Sequence, residues 1–187
     1  MKKDIIVGIT GATGAPLAYK VLEILNDLNV NIHLMVSKWG ARTIEIETDK
    51  TLKDFSELAT RVYNSRDQAA CISSGSFRTD GMIIVPCSMK TLSSISVGFA
   101  DNLISRSADV ILKEQKPLIL VTRETPLSQI HLENMLKLSR MGVSIFPPML
   151  TFYNHPKTID DMTAHTAYRI LDQLGIEHPD AKRWKNN

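Results

Sequence analysis

The chain has 187 residues, 43% of them hydrophobic and 22% charged, with a formal net charge of +2. This length holds one domain with a full core, and the composition is that of a globular protein. The near-balanced charge, with no Lys/Arg-rich run and no interleaved aromatic platform, excludes nucleic acid as an expected partner. No apolar stretch reaches the roughly 20 residues of a membrane-spanning helix. Met1-Lys2-Lys3-Asp4 leads straight into an apolar strand without the apolar region of a signal peptide. The two cysteines, Cys71 and Cys87, make neither a disulfide framework nor a metal knuckle. The expectation is a reduced, cytoplasmic protein without metal, a single domain over residues 1–187 with 175–187 as a C-terminal tail.

The first strand, residues 5–9, runs into Gly8-Ile9-Thr10-Gly11-Ala12-Thr13-Gly14-Ala15-Pro16 and then a helix over 17–28. A glycine turn of this kind brings backbone close to a ligand where a Cβ would clash. Its N–H groups and the helix dipole favour a phosphate, whether of a dinucleotide, a flavin mononucleotide or a small phosphorylated substrate. The spacing Gly8-x-x-Gly11-x-x-Gly14 is not the dinucleotide fingerprint, which also expects an acidic residue about 20 positions on, at the end of the second strand. That strand, 31–36, ends instead in Ser37-Lys38. Lys38 can serve a 2′-phosphate, which leaves an NADP enzyme open, but the Ser37 hydroxyl suits a mononucleotide better.

Further apolar strand-like runs follow at 81–86, 117–122 and 143–146, alternating with helical patterns. This alternation predicts an α/β fold, a Rossmann-like or flavodoxin-like parallel sheet with helices on both faces. Ligands of such sheets bind at the carboxyl ends of the strands, which directs attention to 11–14, Ser37, 87–91, Arg123-Glu124 and 147–153. Ser73-Ser74-Gly75-Ser76 reads as a flexible surface loop. Pro86-Cys87-Ser88-Met89-Lys90-Thr91 places two hydroxyls and several N–H groups at the end of the third strand, with Ser88 as a helix N-cap, a ligand group, or both. Cys87 reads as a small buried residue.

A helix is expected over 101–113. Leu103, Ile104, Ser107, Ala108 and Ile111 share one face, and Asn102, Arg106, Asp109 and Lys113 share the other. The polar stripe is either a solvated face tied by Arg106–Asp109 and Asp109–Lys113 pairs or a pair of cations aimed at a common anion. Arg123-Glu124-Thr125-Pro126 follows the fourth strand as a strand-end ion pair or as catalytic groups. His131 and Glu133, two apart on a helix, face different ways and do not make a metal site. Pro147-Pro148 stiffens an apolar loop that ends at Phe152-Tyr153. Asp160-Asp161 lacks the third carboxylate of a magnesium–diphosphate motif, and Thr158 with Asp161 reads as a helix cap.

Taken in order, these segments resemble the UbiX-like flavin prenyltransferases. The resemblance rests on Thr10-Gly11-Ala12-Thr13-Gly14-Ala15, Val36-Ser37-Lys38, Glu47-Thr48-Asp49, Pro86-Cys87-Ser88-Met89-Lys90-Thr91-Leu92 and Asp101-Asn102-Leu103-Ile104 with Arg106. Ala108-Asp109-Val110, Leu112-Lys113-Glu114, Arg123-Glu124-Thr125-Pro126-Leu127, the run His131 to Leu136, Phe152-Tyr153-Asn154 and Arg169 continue it. It implies bound FMN, dimethylallyl phosphate as donor, no metal, and a prenylated FMN delivered to a UbiD-type decarboxylase. It also implies a flavin site of Gly11, Ala12, Thr13, Ser37, Ser88, Met89, Lys90, Thr91 and Arg123, and a prenyl-phosphate site of Arg106, Lys113, Tyr153 and Arg169. Glu47, Glu124 and Thr13 would take the catalytic roles, with Thr13 standing where many members carry serine. A homo-oligomer, a dodecamer, is implied, with Tyr153 and Arg169 reaching across an interface. Two alternatives stay open. One is an FMN-dependent decarboxylase of the related oligomeric class, although none of the five histidines lies in a matched flavin motif. The other is a flavin-binding accessory subunit without chemistry of its own.

Overall fold

In a computed structural model that describes residues 2–184, strand β1 (Asp4–Ile9) buries five consecutive residues after Asp4. Successive strand side chains point to opposite faces, so Ile5, Val7 and Ile9 enter one core while Ile6 enters another. A strand buried on both faces needs helices above and below it. The described residues supply them in the order β1, α1 (Ala15–Asp27), β2 (Asn31–Val36), α2 (Lys38–Glu47), α3 (Leu52–Glu57), β3 (Arg61–Asn64), β4 (Gly81–Cys87), α4 (Met89–Ser96) and α5 (Leu103–Lys113). Then come β5 (Leu118–Thr122), α6 (Gln129–Arg140), β6 (Ser144–Ile145) and α7 (Ile159–Asp172). One core packs α1 and α7 on the sheet through Leu22, Leu25, Ile170 and Leu171, with Ile44 and Phe55 from α2 and α3. The other packs α4, α5 and α6 through Leu92, Ile104, Ala108, Ile111 and Leu138.

All neighbouring strands are parallel, in the order β3-β2-β1-β4-β5-β6. The chain runs outward one way from β1 to β3 and the other way from β4 to β6. The crevice between the carboxyl ends of β1 and β4 is therefore the switch point where such sheets bind ligands. Thr10 fixes its width: the hydroxyl donates to the Pro86 carbonyl at 2.8 Å and accepts from the Ser88 N–H at 2.8 Å. The Rossmann-like parallel sheet expected from sequence is thus present, with differences that have local causes. β3 was not expected, because its four residues bury only Tyr63 and show too little alternation to register. The run 143–146 shortens to Ser144–Ile145. The helix expected over 101–113 begins at Leu103, since the Asn102 side chain accepts from the N–H groups of Ile104 and Ser105 and acts as its N-cap. The supposedly flexible segment around Ser73 is pinned: Cys71–Ser73 form a short 3-10 turn, Arg106 Nε donates to the Ser73 carbonyl at 3.1 Å, and Ser107 Oγ to that of Ile72 at 3.3 Å.

Of the tail at 175–187, Ile176 is buried in the first core and Arg183 pairs with Asp172, while 185–187 lie outside the described residues. Among the described residues no helix is long and apolar enough to cross a membrane. Thr10→Val keeps the shape of the side chain but leaves the Ser88 N–H without its acceptor. Urea unfolding should show a loss of about 1–3 kcal/mol, and an unchanged midpoint would remove Thr10 from its place as the tie between β1 and β4.

Candidate functional site

A cleft of about 420 Å³ opens at this switch point, lined among others by Gly11, Ser37, Lys38, Trp39, Arg66, Ser88, Lys90 and Thr91. Gly11 is required by its neighbour: an added Cβ would lie 2.4 Å from Cβ of Trp39. Two helices start at the cleft. Ser37 caps α2 by accepting from the Gly40 N–H at 3.0 Å. Ser88 caps α4 by accepting from the Thr91 N–H at 3.3 Å and lies 3.1 Å from the Thr91 hydroxyl. Each cap satisfies one donor of its first turn and leaves the N–H groups of Lys38, Trp39, Met89 and Lys90 to an external acceptor. Two positive helix ends with Lys38, Arg66 and Lys90 form an anion site fitted to a phosphate monoester. Asp101, 3.9 Å from Lys90, is the carboxylate beside it.

The glycine turn itself does something different from what its sequence suggested. Glu47, at the end of α2, places one carboxylate oxygen 2.8 Å from both the Gly14 and Ala15 N–H groups. The anion at the positive end of α1 is therefore a side chain of the same chain, and the helix ends that open on the cleft are those of α2 and α4. Gly14 adopts φ +131, so a side chain there would be strained. Thr13 is exposed at the turn, directly before the N–H groups that hold Glu47.

Besides Glu47, the residues singled out in sequence fall in four places. Gly11, Ser37, Ser88, Lys90 and Thr91 line the cleft, with Ala12, Thr13 and Met89 adjacent in the chain. Arg123 and Glu124 leave β5 beside β4, the Arg123 N–H donating to the Cys87 carbonyl at 3.4 Å. Both side chains are exposed, and among the described residues no ion pair joins them; Glu124 accepts instead from the Thr125 N–H at 3.1 Å.

Arg106 and Lys113 do share one face of α5, but that face meets the segment around Ser73 and Gly75 rather than the cleft. Arg106 pairs with Asp109 at 2.8 Å, whereas Lys113 turns to Glu114 at 2.5 Å and not to Asp109. α5 points away from the cleft, so Lys113 lies about 16 Å along the axis from Asn102 at ~1.5 Å per residue.

Tyr153 and Arg169 line a separate cavity of about 460 Å³ with Phe146, Pro147, Met149 and His165. Arg169 pairs with Asp172 at 2.7 Å, and Arg183 grips the same carboxylate. Burial would raise the Asp172 carboxyl, but the hydrogen bonds and charge of Arg183 and the charge of Arg169 outweigh it and hold it below the usual carboxylate range.

Other expectations resolve locally. Cys87 is fully buried, and burial pushes its thiol far above the ordinary value, so it is no nucleophile. His131 Nδ1 accepts from the Ser128 N–H at 3.2 Å as half of a capping box. Thr158 and Asp161 make the expected capping box of α7. Thr10, Trp39 and Arg66 were missed as cleft residues. Thr10 was legible as the hydroxyl directly after β1, whereas Arg66 follows a strand that the pattern did not reveal.

The Flavoprotein family model matches residues 1–171. A "Probable UbiX-like flavin prenyltransferase" of Escherichia coli is 59% identical over 182 residues, covering 97% of this chain and 92% of that protein. A dodecameric FMN-dependent Ubix-like decarboxylase from Escherichia coli O157:H7 superposes with a TM-score of 0.95 at 59% identity, over 98% of this chain and 100% of that one. AnUbiX (PadA1), solved in complex with FMN and dimethylallyl pyrophosphate, superposes with a TM-score of 0.98 at 52% identity, over 100% and 99% of the two chains.

The Glu47 cap gives a direct test. Glu47→Ala removes two charge-assisted hydrogen bonds and should lower stability by about 1.5–3 kcal/mol. Glu47→Gln keeps an acceptor and should lose only the charge–dipole part, about 0.3–1 kcal/mol. Equal losses in urea unfolding would contradict a carboxylate cap.

Proposed function

The chain belongs to the UbiX-like flavin prenyltransferases, and from that membership we infer that it joins the dimethylallyl group of dimethylallyl phosphate to N5 and C6 of reduced FMN. The product, prenylated FMN, serves a UbiD-type decarboxylase. The observation that carries this is the cleft between β1 and β4, whose two capped helix ends and three cations suit the phosphate of a mononucleotide. Reduced FMN supplies the nucleophilic nitrogen and the second ring carbon. The protein's own task is to hold two anionic phosphates, keep water out and move protons.

In this proposal the FMN phosphate is held at Ser37, Ser88, Met89, Lys90 and Thr91, with Gly11, Ala12 and Thr13 along one side of the flavin and Arg123 at its polar edge. Arg106, Lys113, Tyr153 and Arg169 hold the phosphate of the prenyl donor. Breaking the C–O bond of the donor places negative charge on the departing phosphate, and preorganised cations lower that barrier. A monophosphate needs no bridging magnesium, in keeping with the single carboxylate pair Asp160-Asp161. In this proposal Glu124 or the released phosphate accepts a proton as the second bond forms. Glu47, already bound to the turn, fixes the backbone beside Thr13. The apolar segment 147–152 shields the prenyl chain from water.

The two halves of the donor site lie on different surfaces of one chain, so we place them together across subunit contacts of a homo-oligomer, a dodecamer like the Escherichia coli O157:H7 relative. A closed symmetric assembly repeats such a site at every contact. The cytoplasm is the proposed location.

Anaerobic incubation of the protein with reduced FMN and dimethylallyl phosphate should add one prenyl group to the flavin by mass spectrometry. Arg106→Ala should bind FMN as the unaltered protein does and lose about 10²–10³ in turnover. An unmodified flavin with the unaltered protein would overturn the activity, and loss of FMN binding in Arg106→Ala would move Arg106 out of the donor site.

A further inference from the structure

Tyr153 sits outside any helix or strand, and a phenol on a loop is aimed only by what it touches. Its hydroxyl lies 3.3 Å from Nε2 of His165, and its ring meets the imidazole edge-on, with centroids 5.6 Å apart and planes at 87°. The Trp184 ring packs on it at 5.2 Å in the same manner. His165 is only 5% exposed and lies one helical turn before Arg169 on α7. Residues spaced by four share a helix face. α7 therefore presents two groups to the cavity of Tyr153, Arg169 and His165, and His165 also holds the phenol.

We propose that His165 is a positioning residue for the anion half-site of Tyr153 and Arg169, holding the phenol so that its O–H donates to the phosphate of the donor. This rests on the assignment of Tyr153 and Arg169 to the prenyl-phosphate site. A neutral imidazole has one nitrogen that donates and one that accepts. If Nε2 accepts, the phenol spends its proton on the histidine and offers an anion only lone pairs. If Nε2–H donates to the phenol oxygen, the phenol proton is free for the anion, and a phosphate beside Arg169 selects that arrangement. The surroundings keep the imidazole neutral: burial lowers its affinity for a proton first, the Arg169 and Arg183 charges add to this, and Asp172 opposes them. A neutral ring also leaves the phosphate to be bound by arginine and phenol, with no second cation to be desolvated in the cavity.

The test uses the FMN-loaded protein and titrates dimethylallyl phosphate by calorimetry, with FMN affinity as the check on folding. His165→Leu should weaken dimethylallyl phosphate binding about three- to tenfold, the worth of one neutral hydrogen bond, and leave FMN affinity unchanged. His165→Gln, whose amide reaches the same point, should restore most of the loss. In a Tyr153→Phe background, which lacks the phenol, His165→Leu should cost nothing more. An unchanged affinity in His165→Leu, or the same fold-loss with and without the phenol, would overturn the proposal. Failure of the unaltered protein to bind dimethylallyl phosphate at all would overturn the donor-site assignment with it. If His165→Leu does not fold, the comparison of His165→Gln with Tyr153→Phe decides: the His165→Gln protein must bind the donor at least as well as the Tyr153→Phe protein does.

Discussion

The position of one hydroxyl governs the geometry of the cleft. Thr10 Oγ1 bridges the Pro86 carbonyl and the Ser88 N–H at 2.8 Å each, joining the carboxyl ends of the two strands between which the sheet reverses direction. Because the bridge ends on the Ser88 N–H, it also sets where α4 begins and hence where the Met89 and Lys90 N–H groups point. The glycine turn departs from the other side of the same bridge. Gly11 packs so closely on Trp39 that α2 is drawn against β1, and Ser37 comes to face Ser88 across the cleft. A short polar contact thus converts two separate strand–helix units into one anion site.

Electrostatics then divides the labour among helix ends. α1 is satisfied internally by Glu47, and α5 by Asn102. α2 and α4 carry serine caps that use a single donor each, so their remaining first-turn N–H groups are open. The sign of the charges agrees: Lys38, Arg66 and Lys90 gather at the open ends, while a carboxylate occupies the closed end of α1. The proposed donor-phosphate site draws on no such helix ends. Its side chains lie on two surfaces, Arg106 and Lys113 on α5 and Tyr153 and Arg169 at or near α7. Each arginine is already paired with an aspartate, Asp109 or Asp172. Those carboxylates hold the guanidinium groups in place, and each planar fork carries further donors.

Much of the fold was legible in sequence because both sheet faces are buried. Continuous apolar runs such as 81–86 leave no other assignment, and the helix stripe of Leu103, Ile104, Ala108 and Ile111 turned out to be the buried one. β3 escaped because an edge strand with one buried residue carries no period. The lining of the cleft was legible where local chemistry forms it, at the two serine caps. The site was misread where tertiary contact decides: no local pattern reveals that Glu47, 33 residues on, occupies the N–H groups of Gly14. The pairing of Arg106 with Lys113 came from helical period alone, and period could not say that their common face looks toward Ser73 rather than the cleft.

The central claim is that cations on two surfaces of this chain meet at one phosphate only when copies of the chain assemble. Mixing Arg106→Ala protein with Arg169→Ala protein, each inactive alone, under conditions of demonstrated subunit exchange tests it most directly. Random exchange should leave roughly one quarter of the sites with both arginines intact and recover a matching share of prenyl transfer. Complete exchange with no recovered activity, or full activity in an isolated monomer, would contradict a site shared between subunits.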